Sequence, residues 1–448
     1  MKILLRALLL SLLTVSSACA ASPVPPGEEA PVAFVNVTVI PMDSERLLEN
    51  HTVVVRGERI VAVGPAGEVD VPDEALVIDG TGKYLMPGLA EMHGHVPRPN
   101  EPEQFTEDVL FLYVASGITT VRGMLGAPGQ LALRERALSG DVIAPTLYLA
   151  GPSFNGNSVS SPEQAARMVR DQEAEGWNLL KVHPGLSLAE YDAMAETAHE
   201  VGIRFGGHVP ADVGILHALE KGQETFDHLD GYIAYLKGTE GPVDEDALAE
   251  VVRRTKEAGA WVVPTMALWE VLWGTLDLEE LRAYPELKYM PPSYVESWVN
   301  RHQQRLNSPQ FDRSVGLQVI RNRMRVLGAL NQGGVRVLMG TDAPQMFSVP
   351  GFSLHRELVR MVEAGMSPYE IIKSGTRNVG DYFANEDTFG TIAEGQRADL
   401  ILTNANPLDD ITHIQQKSGV MVRGRWLSEE KIQERLTRIA ASHTGSDS

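Results

Sequence analysis

The chain has 448 residues, 43% of them hydrophobic and 22% charged, which excludes a disordered, collagen-like or coiled-coil protein. Asp and Glu total 59 against 39 Lys and Arg, a formal charge of -20 with no basic patch, so nucleic-acid binding is not expected. A single cysteine, Cys19, leaves no internal disulfide and no Cys-rich metal site, so any metal must sit on His, Asp, Glu or Lys.

Lys2 and Arg6 precede an apolar run from Ala7 to Val15 and small residues through Ala21. These are the zones of an export signal, residues 1–20, and the run is too short to cross a bilayer. Ala18-Cys19-Ala20 fits ordinary signal cleavage, which would leave a periplasmic or secreted chain. Val15-Ser16-Ser17-Ala18-Cys19 also resembles a loose lipobox, in which Cys19 would become a lipid anchor, although Ser16 stands where Leu is usual. Both readings stay open. Residues 21–31 are Pro-rich and read as a linker.

Residues 32–85 read as short strands: Ala33–Ile40, His51–Arg56, Ile60–Val63 and Ala75–Ile78, separated at Gly57, Gly64 and Gly80. The other end echoes them with Asp399–Thr403 and Gly419–Val422. The expectation is a small β-sandwich built from residues 32–85 and 385–432, followed by a polar tail over 433–448. Between them, residues 86–384 alternate strands with helices. The strand candidates are Leu89–Met92, Thr119–Val121, Thr146–Leu149, Leu179–Val182, Phe205–His208, Glu224–His228, Trp261–Pro264 and Val335–Met339. Capping-box signals at Ser161–Gln164, Ser187–Glu190 and Ser367–Glu370 start intervening helices. Eight such units predict an α/β fold, a (β/α)8 TIM barrel, with active-site groups at the C-terminal ends of its strands.

After the seventh strand, residues 267–312 are too long for an ordinary loop and carry Trp269, Trp273, Tyr284, Tyr289, Tyr294 and Trp298. Such an insertion is either a helical layer with its own small core or a lid over the barrel mouth. A lid is the favoured reading, because barrel insertions of this kind fall on the catalytic face.

His93 and His95 end the first barrel strand, where positions i and i+2 share a face and two imidazoles can meet a divalent metal. Lys181, His208, His228 and Asp342 end strands four, five, six and eight. Singly, each is more often a turn or packing residue. Together, six such groups at strand ends of one barrel point to metal chemistry.

The combination Met86-Pro-Gly-Leu…His93-Gly-His95, Gly117-Ile-Thr-Thr-Val-Arg122, Met339-Gly-Thr-Asp-Ala343 and Gly390-Thr-Ile-Ala-Glu-Gly…Ala398-Asp-Leu closely resembles the metal-dependent amidohydrolase superfamily. The likeness is strongest to its exported imidazolonepropionase-like and dipeptidase-like members, and it covers nearly everything after the signal. The resemblance implies two divalent metal ions, most simply Zn, with His93 and His95 on the more buried ion and His208 and His228 on the other. Lys181 would bridge them as a CO2-derived carbamate, and Asp342 would both ligate and shuttle protons while a hydroxide between the ions attacks the substrate. An unmodified lysine paired with a carboxylate in a one-metal enzyme is the alternative for Lys181.

His183 shares a face with Lys181 and is a candidate substrate contact. Tyr232, four residues after His228, is a candidate oxyanion donor or a packing residue. Arg122 is a candidate for a substrate carboxylate or for a structural ion pair. Relatives often carry Arg-Asp at that point, whereas this chain has Arg122-Gly123. There is no zinc-protease helix, nucleophile elbow, dinucleotide fingerprint or P-loop.

The expected activity is hydrolysis of a small-molecule amide, a dipeptide or N-acyl amino acid. A cyclic amide, lactone or ester on the same metal pair is the alternative. Deamination is less favoured because one-metal deaminases generally do not need a strand-four lysine. A barrel that had kept its fold as a binding protein would lack ligands, and all six are present. The sequence leaves the oligomeric state and the identity of the metal open.

Overall fold

The computed structural model describes residues 30–444, so the export signal, Cys19 and nearly all of the Pro-rich linker lie outside the described residues. The first strands are β1 (Val32–Val39), β2 (Leu48–Arg56), β3 (Arg59–Pro65), β4 (Leu76–Asp79) and β5 (Tyr84–Pro87). Eight more follow with helices between them: β6 (Leu89–Gly94), β7 (Ile118–Gly123), β8 (Thr146–Leu149), β9 (Leu179–Val182), β10 (Arg204–Gly207), β11 (Thr225–Asp227), β12 (Trp261–Val263) and β13 (Arg336–Val337). The chain then returns to the first sheet through β14 (Leu400–Thr403), β15 (Lys417–Val422) and β16 (Arg425–Ser428).

The strands β6 to β13 are parallel and lie in chain order, as β6-β7-β8 and β9-β10-β11-β12-β13. Backbone hydrogen bonds cross both seams between these groups. Gly151 N–H donates to Leu179 (3.0 Å) and Phe154 N–H to Lys181 (2.8 Å) at one seam. At the other, Met92 N–H donates to Met339 (2.8 Å) and Asp342 N–H to His93 (2.7 Å). The arrangement is that of the expected (β/α)8 barrel. Of the three capping-box signals, Ser187 and Ser367 form the full reciprocal motif. Ser161 accepts from Gln164 N–H, but the Gln164 side chain turns to Ser160 instead.

The small β domain is the expected sandwich built from both chain ends: its sheet folds back on itself, so that Phe34 on β1 meets Trp426 on β16 with ring centroids 5.2 Å apart although three strands lie between them. Its strands form one hydrogen-bonded sheet in the order β16-β15-β14-β5-β1-β2-β3, with β4 branching from β1. The branch arises because β1 pairs with β4 over Val32–Val35 and then, past irregular register, with β5 at Thr38 and Val39. Phe34, Val53, Val55, Leu85, Leu400 and Met421 pack into a core separate from that of the barrel. Both chain ends are therefore needed to bury it. Arg397 ties this sheet to the barrel, donating to Asp399 (2.7 Å), Asp387 (2.6 Å) and Thr120 on β7 (2.6 Å).

The expected polar tail is instead a docked helix, Glu429–Thr444, which buries Ile432, Leu436 and Ile439. These apolar residues recur at helical spacing within an otherwise charged segment, and that periodicity overrides its polar composition. Among the described residues no helix is long and apolar enough to cross a membrane. Ile439→Ala is expected to cost about 2–4 kcal/mol in chemical denaturation. A loss within about 0.5 kcal/mol would mean that the helix is not part of the folded core.

Candidate metal centre

Strand alternation places Glu91 and His93 on one face of β6, His95 follows the strand's last residue, and Lys181, His208 and His228 reach the same space from the ends of β9, β10 and β11. His95 Nε2 lies 2.6 Å from Asp342 Oδ1, and His93 Nε2 lies 3.7 Å from the same oxygen. These three donor atoms fall within 4.8 Å of one another. The other Asp342 oxygen, Oδ2, faces His228 Nε2 at 3.7 Å. Ring centroids separate His93 from His228 by 4.3 Å and His228 from His208 by 4.5 Å. Lys181 is fully buried, with Nζ 3.1 Å from His93 Nε2. All six expected ligands thus meet in one place.

The other ring nitrogens explain why the imidazoles point inward. A carboxylate can only accept, so His93 Nδ1–H donates to Asp227 Oδ2 (2.7 Å) and His208 Nδ1–H donates to Asp230 Oδ2 (2.6 Å). His228 Nδ1 pairs with Thr265 Oγ1 at 2.8 Å. For His93 and His208 this leaves Nε2 with a free lone pair, the state in which histidine binds metal. Burial pushes His93 and His228 well below the usual imidazole range, with neighbouring cationic groups adding to the effect, so both stay neutral. Burial also lowers Lys181 to about 8, against the opposing pull of Asp227 and Asp342. Neutral nitrogen donors, a two-faced carboxylate and a buried amine form a donor set that fits divalent cations.

Arg122 is not placed to meet substrate. Its guanidinium is wholly buried inside the barrel, where Nε donates to Met92 O (2.6 Å) and Nη1 to Thr225 Oγ1 (3.0 Å). Nη2 donates to Asp227 at 3.3 Å. Burial opposes ionisation of Asp227, yet Arg122 and Lys181 hold its carboxyl below the ordinary range. The structural ion pair is the correct reading of Arg122, and Asp227 passes its orientation on to His93. Tyr232 is also corrected: its buried hydroxyl meets Thr255 Oγ1 at 3.0 Å, within the packing between helices Asp230–Tyr235 and Glu245–Glu257. His183, by contrast, stacks on His208 with centroids 5.1 Å apart and is half-buried, beside the cluster.

The segment carrying Asp342 is held by a second buried carboxylate that the sequence reading passed over. Glu91 accepts from Thr341 N–H (2.7 Å), Thr341 Oγ1–H (2.5 Å) and His93 N–H (3.0 Å). Burial raises Glu91 to about 8 in spite of these bonds. Gly340 is required here, since a Cβ would lie 2.5 Å from Val263 Cγ1 and 2.9 Å from His93 N. Asp342, His228 and Thr265 all adopt positive φ, at 63°, 67° and 48°. Such conformations cost about 1–3 kcal/mol each in non-glycine residues and concentrate at functional sites.

The insertion proves to be mainly helical: Met266–Leu272, Leu278–Arg282 and Pro292–Leu306, with a short 3-10 turn at Pro285–Tyr289. Tyr294 donates to Glu101 after strand one (2.7 Å), while Trp298 packs on Phe347 after strand eight. Trp269 alone of its tryptophans approaches the ligands, 6.0 Å from the His228 ring. Arg323 stacks on Trp269 at 3.8 Å and donates to His228 O. Asp227, Asp230 and Glu91 had a readable signal, because alternation puts Glu91 and Asp227 on inward faces and Asp230 directly follows the His228 turn. Thr265, Trp269 and Arg323 had none beyond their composition.

Residues 84–427 match the Amidohydrolase family. Among curated relatives, an adenine deaminase of Ruegeria sp. is 23% identical over 383 residues, covering 81% of this chain and 52% of its own. The chain thus spans about half the length of the adenine deaminases it matches. Ochratoxinase of Aspergillus niger is 23% identical over 461 residues, covering 88% and 85%. Among solved structures, a bottromycin amidohydrolase has a TM-score of 0.74 at 24% identity, covering 93% and 91%. A putative prolidase from Bifidobacterium longum has 0.69 at 22%, covering 92% and 99%; both likenesses are of fold.

Asp227→Asn is expected to lower metal affinity about 10–100-fold, measured by competition with a chromogenic chelator. Unchanged affinity would reduce Asp227 to a partner of Arg122 alone.

Proposed function

This chain belongs to the amidohydrolase family, and we propose that it is an exported binuclear metal hydrolase that cleaves an amide bond in a dipeptide or N-acyl amino acid. The observation that carries the reading is the convergence of His93, His95, Lys181, His208, His228 and Asp342, with Nδ1 of His93, His208 and His228 anchored from behind. His93 and His95 would hold one ion, His208 and His228 the other, and Lys181 would bridge them as its N-carboxylate. An unmodified ammonium beside two cations would be repelled, whereas a carbamate is an anion with two oxygens. Two divalent ions, when bound, activate a water and polarise the scissile carbonyl.

The chain's own residues supply the rest. Asp342 takes the proton of the attacking water on one carboxylate oxygen and returns it to the leaving nitrogen, so the amine departs neutral. Thr341 and Glu91 fix the backbone that aims this carboxylate. His183 and Trp269 flank the ligands on two sides and form walls of the substrate pocket. Export rests on residues 1–20, with Cys19 either removed or lipidated.

The names of relatives favour amide substrates: a bottromycin amidohydrolase, a Xaa-Pro dipeptidase and a prolidase share the fold over nearly their full lengths. Deamination is the second reading, carried by the adenine deaminase matches. A screen for amine release from dipeptides and N-acyl amino acids, with adenine, lactones and simple esters alongside, separates the readings. Turnover of a carboxylate-bearing amide that chelator abolishes is expected; ammonia release from adenine alone would overturn the proposal. Asp342→Asn should lower kcat about 100- to 10,000-fold against the hit substrate.

A further inference from the structure

A cavity of about 540 Å³ lies between helix Leu354–Glu363 and helix Glu429–Thr444, and none of the six ligand residues borders it. Three polar groups on its wall lack the partners that burial normally demands. Ser116 Oγ and His355 Nε2 are buried with no hydrogen-bond partner. The Lys417 ammonium makes only a 3.4 Å bond to Ile414 O, and among the described residues no carboxylate lies within ion-pair distance of it. The other cations on the wall are committed: Arg356 pairs with Glu286, and Arg360 with Glu270 and Glu363. Phe352, Ile432 and Leu436 supply apolar surface, while Glu286, held by Arg356, and Glu429 also border the cavity.

We propose that this cavity is a second ligand site, which takes a small monocarboxylic acid with an apolar tail. Lys417 offers only donors, a hydroxyl can donate, and burial holds His355 neutral at about 3, so that Nε2 can carry a proton. The complement of three converging donors is a group with only acceptors. Among the described residues, Lys417 is the one cation on the wall without an ion-pair partner, which matches a single negative charge. With Glu429 also on the wall a more highly charged anion such as phosphate is disfavoured, while Phe352, Ile432 and Leu436 favour an apolar tail. Burial lowers Lys417 to about 8, still protonated at neutral pH, with Glu429 favouring the charged form. An acid bound here would touch the helix that carries Glu357. That residue's carboxylate accepts from Met266 and Ala267 N–H at 2.8 Å, at the start of the helix bearing Trp269. The site is independent of the reading of the metal centre.

Isothermal titration of metal-loaded protein with octanoate tests the proposal, with octanamide and octylamine as neutral and cationic probes. Saturable octanoate binding is expected, with both other probes at least about tenfold weaker. Lys417→Met should abolish that preference while leaving hydrolase turnover unchanged. Ser116→Ala, which removes one donor without adding bulk, should weaken octanoate and serves if the lysine variant does not fold. No saturable binding, equal binding of octanamide, or octanoate affinity undiminished in both variants would overturn the site. The last outcome would place the acid on the metals instead.

Discussion

The Asp227 carboxylate sits wholly inside the barrel, between the Arg122 guanidinium and the His93 ring, and the candidate centre depends on it. A buried carboxylate on its own would be raised toward neutrality; Arg122 prevents that, and an ionised Asp227 then fixes the His93 proton on Nδ1. Arg122 in turn bonds Met92 O on β6, the strand that carries His93 and leads directly into His95. One ion pair therefore sets a tautomer, a ring orientation and the alignment of two strands. Removing either partner would leave the other charge buried and unpaired, which costs far more than a surface ion pair.

The same logic recurs around the ring. Asp230 serves His208, Thr265 serves His228, and Glu91 serves the turn that carries Asp342. These three anchors lie on or just after the strand next to the ligand they hold, whereas Asp227 reaches His93 across the barrel. Positive φ at His228, Thr265 and Asp342 is tolerated because neighbours over-determine it. The small sheet contributes at a distance: Arg397 pins β14's approach to Thr120 on β7, two residues before Arg122. Both ends of the chain thereby bear on the strand that orients the centre.

The barrel was legible because parallel strands buried on both faces read as short apolar runs, and Thr146–Leu149 and Leu179–Val182 are found at their expected bounds. The six candidate ligands could be picked out because a strand end in a barrel has one functional direction. What stayed hidden was whatever depends on side-chain reach. Arg122 could point to substrate or to a partner, and only the placement of Asp227 decides it. Tyr232 lies four residues beyond His228, but His228 and Leu229 adopt left-handed backbone before the helix begins at Asp230, and the Tyr232 hydroxyl meets Thr255 instead of the centre. The C-terminal helix was hidden by composition, since three apolar residues suffice to dock a charged segment.

Metal stoichiometry tests the central claim most directly. Protein reconstituted with excess divalent metal in bicarbonate buffer and freed of unbound ions should carry two ions per chain, and Lys181→Ala should lose one or both. One ion per chain, unaffected by bicarbonate or by Lys181→Ala, would contradict a centre bridged by that lysine.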